Sequence, residues 1–331
     1  MAEKILEVNN LSTTFKTERG LMKAVDGVSF YVNKGEILGV VGESGCGKSV
    51  TSQSIMRLYD EKYTASYTGE VILDGRNILK IPEKEMQDMR GCVISMVFQD
   101  ALSSLNPVFT VGSQIMEPLM VHQGMKKDEA KAKAVEMLKL VGIPAPEQRV
   151  DQYPHELSGG MRQRVMIAIA LACQPKMLIA DEPTTALDVT IQAQIMDLIV
   201  ELNRKLDMGV MLITHDLAVV AKTCSRVIVM YLGQVVEEAD VNDIFDNPLH
   251  PYTNGLMKSI PQLDGNREER LYMIKGMVPL LSQIPNGCRF APRCPYATEK
   301  CTQQMPELKS TDGGTHKVRC FKVQEENVKG E

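Results

Sequence analysis

The chain has 331 residues, 44% hydrophobic and 24% charged, enough to bury a large core and to form one big domain with an appendage. A net charge of −5 gives no global attraction to nucleic acid, and no local basic patch stands out, so a nucleic-acid partner is excluded as a first reading. The longest apolar run, around Val165 to Cys173, is about half of what a membrane helix requires, and the first seven residues alternate charged and apolar types unlike a secretory signal. These features place the chain in the cytoplasm, where eight cysteines point to metal binding rather than to a disulfide framework.

In chain order, Ile5 to Val8 and Val28 to Val32 carry apolar residues at strand spacing, and Glu36 to Val41 reads as a buried strand feeding a glycine loop. Val50 to Met56 is compatible with a helix behind that loop. Helical periodicity follows over Asp128 to Leu140 and over Ser158 to Ala172, with Ser158 placed as an N-cap. Met177 to Ala180 and Val210 to Ile213 are short apolar runs ending in polar residues, as in central parallel strands whose C-terminal ends carry function. The expected fold class is therefore α/β with a helical insertion, at about 100–172. Beyond about Asp246 prolines crowd a stretch that holds four of the eight cysteines, and a domain boundary is expected near Ile244, dividing 1–244 from 245–331.

Gly42-Glu43-Ser44-Gly45-Cys46-Gly47-Lys48-Ser49 fits G-x-x-x-x-G-K-[ST] between a strand and a helix. Glycines let the backbone curl so that its N–H groups and the helix N-terminus surround a β-phosphate; Lys48 neutralises the β- and γ-phosphates and Ser49 ligates Mg²⁺. About 130 residues later, the strand Met177-Leu178-Ile179-Ala180 ends in Asp181-Glu182. Asp181 is suited to the Mg²⁺ shell and Glu182 to polarising the attacking water as general base. Between them, Leu157-Ser158-Gly159-Gly160-Met161 is a second glycine-bearing helix start. One ATP needs one phosphate cradle from its own subunit, so the second cradle points to a nucleotide held by another subunit.

With these motifs the chain resembles the nucleotide-binding subunits of ATP-binding-cassette (ABC) transporters, whose signature reads LSGGQ; Met161 departs from that pattern, and only Ser158, Gly159 and Gly160 are carried over. The resemblance implies an ABC-type P-loop NTPase core with an N-terminal antiparallel β-subdomain, a helical signature subdomain and a small cysteine-rich C-terminal extension. It implies nucleotide contacts from Gly42, Ser44, Gly45, Cys46, Gly47, Lys48, Ser49 and Val50. Gln99, in Val97-Phe98-Gln99-Asp100, resembles the Q-loop glutamine that contacts Mg²⁺ and water and faces the membrane partner. Asp188, in Ala186-Leu187-Asp188, resembles the D-loop; His215 resembles the switch histidine on the γ-phosphate; Phe15 resembles the aromatic residue that stacks on adenine, where the family more often has Tyr.

His250 to Leu256 and the tail resemble the C-terminal extension of dipeptide and oligopeptide importer ATPases, with His250 read as structural. The resemblance implies an ATPase on the cytoplasmic side of the cell membrane, paired with a second cassette as homodimer or paralogous heterodimer, with two integral membrane permease subunits and, indirectly, an extracytoplasmic peptide-binding protein. A soluble ABC-type switch in translation or DNA repair is the alternative, but such proteins generally carry two cassettes or a long coiled-coil insertion and this chain has neither. Cys288, Cys294, Cys301 and Cys320, with gaps of five, six and eighteen residues, look like a metal site. Neither the zinc nor the bacterial ferredoxin spacing fits them. The all-sulfur set, Pro295 after Cys294 and the importer resemblance favour a [4Fe–4S] cluster over zinc, with redox control of the ATPase as a further reading. Cys46, Cys92, Cys173 and Cys224 read as small buried or loop residues.

Overall fold

The computed structural model describes residues 3–18, 20–99, 104–185, 187–260, 272–311 and 313–328. Its first half contains β1 (Lys4–Thr17), β2 (Gly20–Asn33), β3 (Ile37–Val41), α1 (Lys48–Ile55), β4 (Ala65–Leu73), β5 (Arg76–Asn77), α2 (Glu83–Met89), β6 (Ile94–Val97), α3 (Val111–Gln123), α4 (Lys127–Leu140) and α5 (Gly159–Leu171). There follow β7 (Met177–Asp181), α6 (Val189–Leu206), β8 (Gly209–Ile213), α7 (Leu217–Thr223), β9 (Arg226–Tyr231), β10 (Gln234–Asp240), α8 (Val241–Asp246), α9 (Pro251–Lys258), α10 (Glu299–Gln303), β11 (Lys309–Ser310), β12 (Lys317–Val318) and α11 (Phe321–Val328). The expected strands before and after the glycine loop and the expected helices all form. β1 and β2 run to 14 residues each, longer than the apolar pattern suggests: Ser12-Thr13-Thr14-Phe15 extends β1 with β-branched and aromatic residues, and β2 begins at Gly20, eight residues before the expected Val28.

The chain forms two compact units, the first from the described parts of Met1–Glu7, Tyr31–Ile37 and Ile72–Ile213. Its centre is a run of three parallel strands: Ile94 to Val97 of β6 pairs with Met177 to Ala180 of β7, which pairs with Gly209 to Leu212 of β8. All three are buried along their whole length, which is why β7 and β8 read as continuous apolar runs instead of alternating ones; β6, interrupted by Ser95, is not among the strands expected from the sequence. Helices α3, α4 and α5 pack on one another, and α5 also packs on β6. Ser158 caps α5, its side chain accepting from the Met161 N–H at 3.4 Å, as its sequence position predicts. The carboxylate of Asp188 caps α6 in the same way, accepting from the Ile191 N–H at 3.0 Å.

The second unit contains Val8–Phe30, Leu38–Val71 and the described parts of Thr214–Glu331. Here β3 runs parallel to β9, and β9 folds back antiparallel into β10 through the two-residue turn Leu232-Gly233. Both turn residues have positive φ, +45° and +77°, the combination that tight hairpins favour. The C-terminal region, expected as an appendage, is stitched onto this sheet: Val318 and Lys317 of β12 pair with Glu237 and Glu238 of β10, and β11 pairs with β12.

The buried carboxylate of Glu237, 0% exposed, anchors that region. It accepts the Leu249 N–H at 2.7 Å and the His250 N–H at 2.9 Å, and lies 2.7 Å from the His316 ring nitrogen Nε2. A buried carboxylate survives only when its lone pairs are satisfied, so these contacts are mutually obligatory. Glu237→Ala leaves at least two buried donors without their acceptor and is expected to lower stability by about 3 kcal/mol, read as a fall in the urea unfolding midpoint.

Candidate functional site

In the second unit, β3 delivers the chain into the phosphate loop and α1 leads it away. Gly42, Gly45 and Gly47 have φ of +150°, +77° and +99°, the left-handed or related backbone that glycine adopts without strain. At Gly42 there is a second requirement: a Cβ would lie 2.3 Å from the Met230 carbonyl oxygen and 2.8 Å from the Cys46 sulfur. Gly47 is the N-cap of α1 and supplies no side-chain cap. Ser44 and Gly45 are exposed at the loop tip, Ser49 and Val50 half-buried, and Cys46 and Lys48 buried. The Lys48 ammonium folds back to donate to the carbonyls of Gly42, at 2.8 Å, and Glu43, at 3.1 Å. Burial pushes the Cys46 thiol up despite Lys48 nearby, so it stays a neutral packing group.

Phe15 is half-buried on β1 with its ring edge-to-face against Tyr59, centroids 4.8 Å apart. Tyr59 is a partner that sequence reading passed over, since a lone tyrosine after a helix carries no signal. His215, just past β8, is exposed, and Asp216 beside it caps α7 by accepting from the Ala218 and Val219 N–H groups at 2.9 and 3.3 Å.

In the first unit, the ends of adjacent parallel strands bring the acidic pair and the glutamine together. Asp181 is buried at the end of β7. Glu182 has a φ of +46°, an unfavourable conformation for a residue with a Cβ, held by its N–H bond to the Ile213 carbonyl at 2.9 Å. Its Oε2 accepts from Gln99 Nε2 and from the Thr185 hydroxyl, each at 3.0 Å. Gln99 and Glu182 are 83 residues apart, and the parallel pairing of β6 with β7 closes that gap. Thr185 is the functional contact that motif reading missed. Ser158 and Gly159 are exposed, while a Cβ on Gly160 would stand 2.7 Å from the Ile191 side chain, so a glycine is required where α5 meets α6. Of the expected D-loop and Q-loop stretches, Ala186 and Asp100 lie outside the described residues.

The cysteine tail departs from expectation. Cys288, Cys294, Cys301 and Cys320 do line one small cavity of about 20 Å³, with Phe290 and His250 beside them. Yet among the described residues no group of three or more Cys, His, Asp or Glu is arranged to hold a metal ion, so the expected [4Fe–4S] cluster, or zinc in its place, is not supported by this geometry. Spacing brings thiols into one neighbourhood; it does not set the direction of each Cβ–S bond, on which ligation depends. Burial, followed by the neighbouring thiols, pushes Cys288 up to about 11, and burial also raises Cys294 and Cys320. His250 is structural as expected: it is buried, its Nδ1 accepts the Tyr252 N–H at 3.1 Å, and burial holds its imidazole down at about 4. Its position beside the cysteines was not legible from spacing. Of the remaining cysteines, Cys46, Cys173 and Cys224 are buried and Cys92 half-buried.

A glycine loop between a buried strand and a helix, and a buried strand ending in Asp-Glu, define a P-loop nucleoside-triphosphate hydrolase. Residues 25–185 match the ABC transporter family, and residues 236–301 match the oligopeptide/dipeptide transporter C-terminal region. The chain is 53% identical over 324 residues, 98% of its length and 96% of the relative's, to a probable peptide ABC transporter ATP-binding protein of Sinorhizobium fredii. It is 52% identical, over 98% of both chains, to the oligopeptide transport ATP-binding protein AppD of Bacillus subtilis. It is 51% identical, over 96% and 94%, to the dipeptide transport ATP-binding protein DppD of Haemophilus influenzae. Among solved structures it resembles the dimeric ATP-binding cassette MJ0796 bound to ADP and phosphate, with 31% identity, a TM-score of 0.64 and coverage of 71% of this chain and 98% of that one. The chain belongs to the ABC transporter ATPases, and it hydrolyses ATP.

Among the described residues no helix is long and apolar enough to cross a membrane. Because Gly42 is required both by φ and by the approach of Met230, Gly42→Ala is expected to destabilise the protein by about 3 kcal/mol and to abolish ATP binding. Thermal unfolding and nucleotide titration of the same variant check both.

Proposed function

We propose that the chain powers a dipeptide or oligopeptide importer: ATP closes it against a second cassette, homologous or identical, and closure is passed to two membrane permease subunits supplied with peptide by an extracytoplasmic binding protein. The observation that carries this reading is the coexistence in one chain of the ABC match at 25–185 and the peptide-transporter C-terminal match at 236–301, with relatives named for peptide transport aligned over nearly their whole length. It favours the importer over a soluble switch in translation or DNA repair. We accordingly assign 1–244 to the ATPase and 245–331 to the peptide-importer extension. Phe98, Val108, Phe109, Met120 and Val121, exposed apolar side chains on and after the Gln99 segment, fit a stretch that meets a membrane partner on the cytoplasmic side of the membrane.

In the catalytic cycle, Lys48 exchanges its bonds to the Gly42 and Glu43 carbonyls for the β- and γ-phosphates, while the uncapped N-terminus of α1 at Gly47 faces the β-phosphate. Ser49, Asp181 and Gln99 would hold Mg²⁺, which would offset phosphate charge. Glu182 takes a proton from the water that attacks the γ-phosphorus; the bond to the β–γ bridging oxygen breaks, and its electron pair leaves with ADP. Gln99 and Thr185 hold the Glu182 carboxylate through two 3.0 Å bonds. His215 contacts the γ-phosphate, Phe15 stacks on adenine with Tyr59 behind it, and Ser158, Gly159, Gly160 and Asp188 serve the nucleotide of the partner subunit.

Glu182→Gln is expected to retain ATP and hold the closed dimer while turnover falls at least about a hundredfold; turnover at the parent rate refutes the base assignment. Lys48→Ala instead weakens ATP binding itself, by about thirtyfold in a titration. Co-purification of the tagged chain with two integral membrane subunits tests the importer reading, and recovery with ribosomes or DNA-repair factors overturns it.

For the tail, we infer that Cys288, Cys294, Cys301 and Cys320 act as one set on a [4Fe–4S] cluster, with zinc as the alternative; their shared cavity supports a common role. Protein purified without oxygen is expected to be brown with about four irons per chain, whereas colourless protein free of iron rejects the cluster.

A further inference from the structure

Glu43 is the least conspicuous residue of the phosphate loop, one of the four variable positions of its motif, yet it is where the loop is held. Its carbonyl receives the Lys48 ammonium at 3.1 Å and the Cys46 N–H at 3.3 Å. Its own N–H donates to the Tyr252 hydroxyl at 2.7 Å. Its carboxylate is gripped by both terminal nitrogens of Arg293, Oε2 by Nη1 at 2.6 Å and Oε1 by Nη2 at 3.0 Å. Tyr252 and Arg293 both lie beyond residue 244, some 209 and 250 positions along the chain from Glu43.

The grip is rigid at its source. The Arg293 side chain is 4% exposed and Glu43 29%. The guanidinium also donates to the Tyr231 hydroxyl at 3.4 Å and to the Lys275 carbonyl at 3.2 Å. It lies in a short 3₁₀ turn, Ala291–Arg293, between Cys288 and Cys294. Tyr252, Tyr231 and Phe290 pack as an aromatic cluster with centroids 4.7 to 5.4 Å apart. The loop's other flank is held from the same region: Arg289 donates to the Leu232 carbonyl and pairs with Asp26, and the adjacent Gly233 N–H reaches the Cys46 carbonyl at 2.7 Å. A bidentate, largely buried guanidinium–carboxylate pair fixes direction as well as distance.

We propose that Arg293 and Tyr252 are positioning residues for ATP, setting through Glu43 the curvature of the phosphate loop and the place from which Lys48 reaches the phosphates. The region after residue 244 is thereby a working part of the nucleotide site. The inference rests on the assignment of Gly42 to Ser49 to ATP.

The test is titration of the full chain with Mg²⁺ and the slowly hydrolysed analogue AMP-PNP, with thermal unfolding of the nucleotide-free protein alongside. Arg293→Gln and Glu43→Gln are each expected to weaken binding about tenfold, and the double variant no further, because the pair is one interaction. Arg293→Lys recovers part of the loss, and Tyr252→Phe, which keeps the ring packing, weakens binding by several-fold. A purely structural brace lowers the unfolding temperature with AMP-PNP affinity unchanged, and that result overturns the proposal, as does additivity in the double variant. If Arg293→Gln does not fold, Arg293→Lys and Tyr252→Phe decide alone, parent affinity in both overturning it. Lys48→Ala separates the two levels: parent affinity in that variant refutes the ATP assignment itself, while weakened binding there with unchanged binding in the Arg293 and Tyr252 variants refutes only the positioning role.

Discussion

A backbone that must curl around a phosphate with its N–H groups turned inward cannot also hold itself in place. Gly42, Gly45 and Gly47 give up side chains for positive φ, and the N-cap of α1 is left without a capping group. Beyond the bonds that Lys48 and the Cys46 N–H make within the loop, it is held from elsewhere: by the close approach of the Met230 carbonyl at Gly42, the Leu232-Gly233 turn behind Cys46, and Tyr252 and Arg293 on Glu43. Much of the second unit can be understood as the apparatus that supplies those contacts.

The same logic explains why the C-terminal region joins the sheet instead of trailing from it. A brace transmits geometry only if its own base is fixed. Glu237, buried in β10, fixes the entry to α9 through the N–H groups of Leu249 and His250, and His316 near the far end of the region closes on the same carboxylate. β12 then continues the hydrogen-bond ladder beside it. The buried pair between Arg226 and Glu238, one strand position away, faces the same constraint of satisfying charge inside a sheet.

In the first unit the constraint is on charge. Asp181 and Glu182 bring two carboxylates to the end of a buried strand, and Glu182 holds an unfavourable φ. Two hydrogen bonds, from Gln99 and Thr185, orient its carboxylate. This is strain kept by the packing of β6, β7 and β8 at the residue proposed as general base, a role that needs a carboxylate aimed and not merely present.

The motif residues were legible because their chemistry is local. Loop curvature needs glycine, a helix start needs Ser158, and a buried parallel strand is a plain run of apolar residues, so the glycine loop, the acidic pair, the signature and the α/β class all appear in one dimension. What only the tertiary structure decided are contacts across long separations: Gln99 with Glu182, Phe15 with Tyr59, Arg293 and Tyr252 with Glu43, and His250 beside the four cysteines. The cysteines mark the boundary between the two kinds of information. Their spacing announced a neighbourhood, and the fold does gather them around one cavity, but among the described residues no three of them are arranged to hold a metal ion, an arrangement that spacing alone does not encode. Sequence fixes which groups are available; the direction in which each one points is a property of the packed chain.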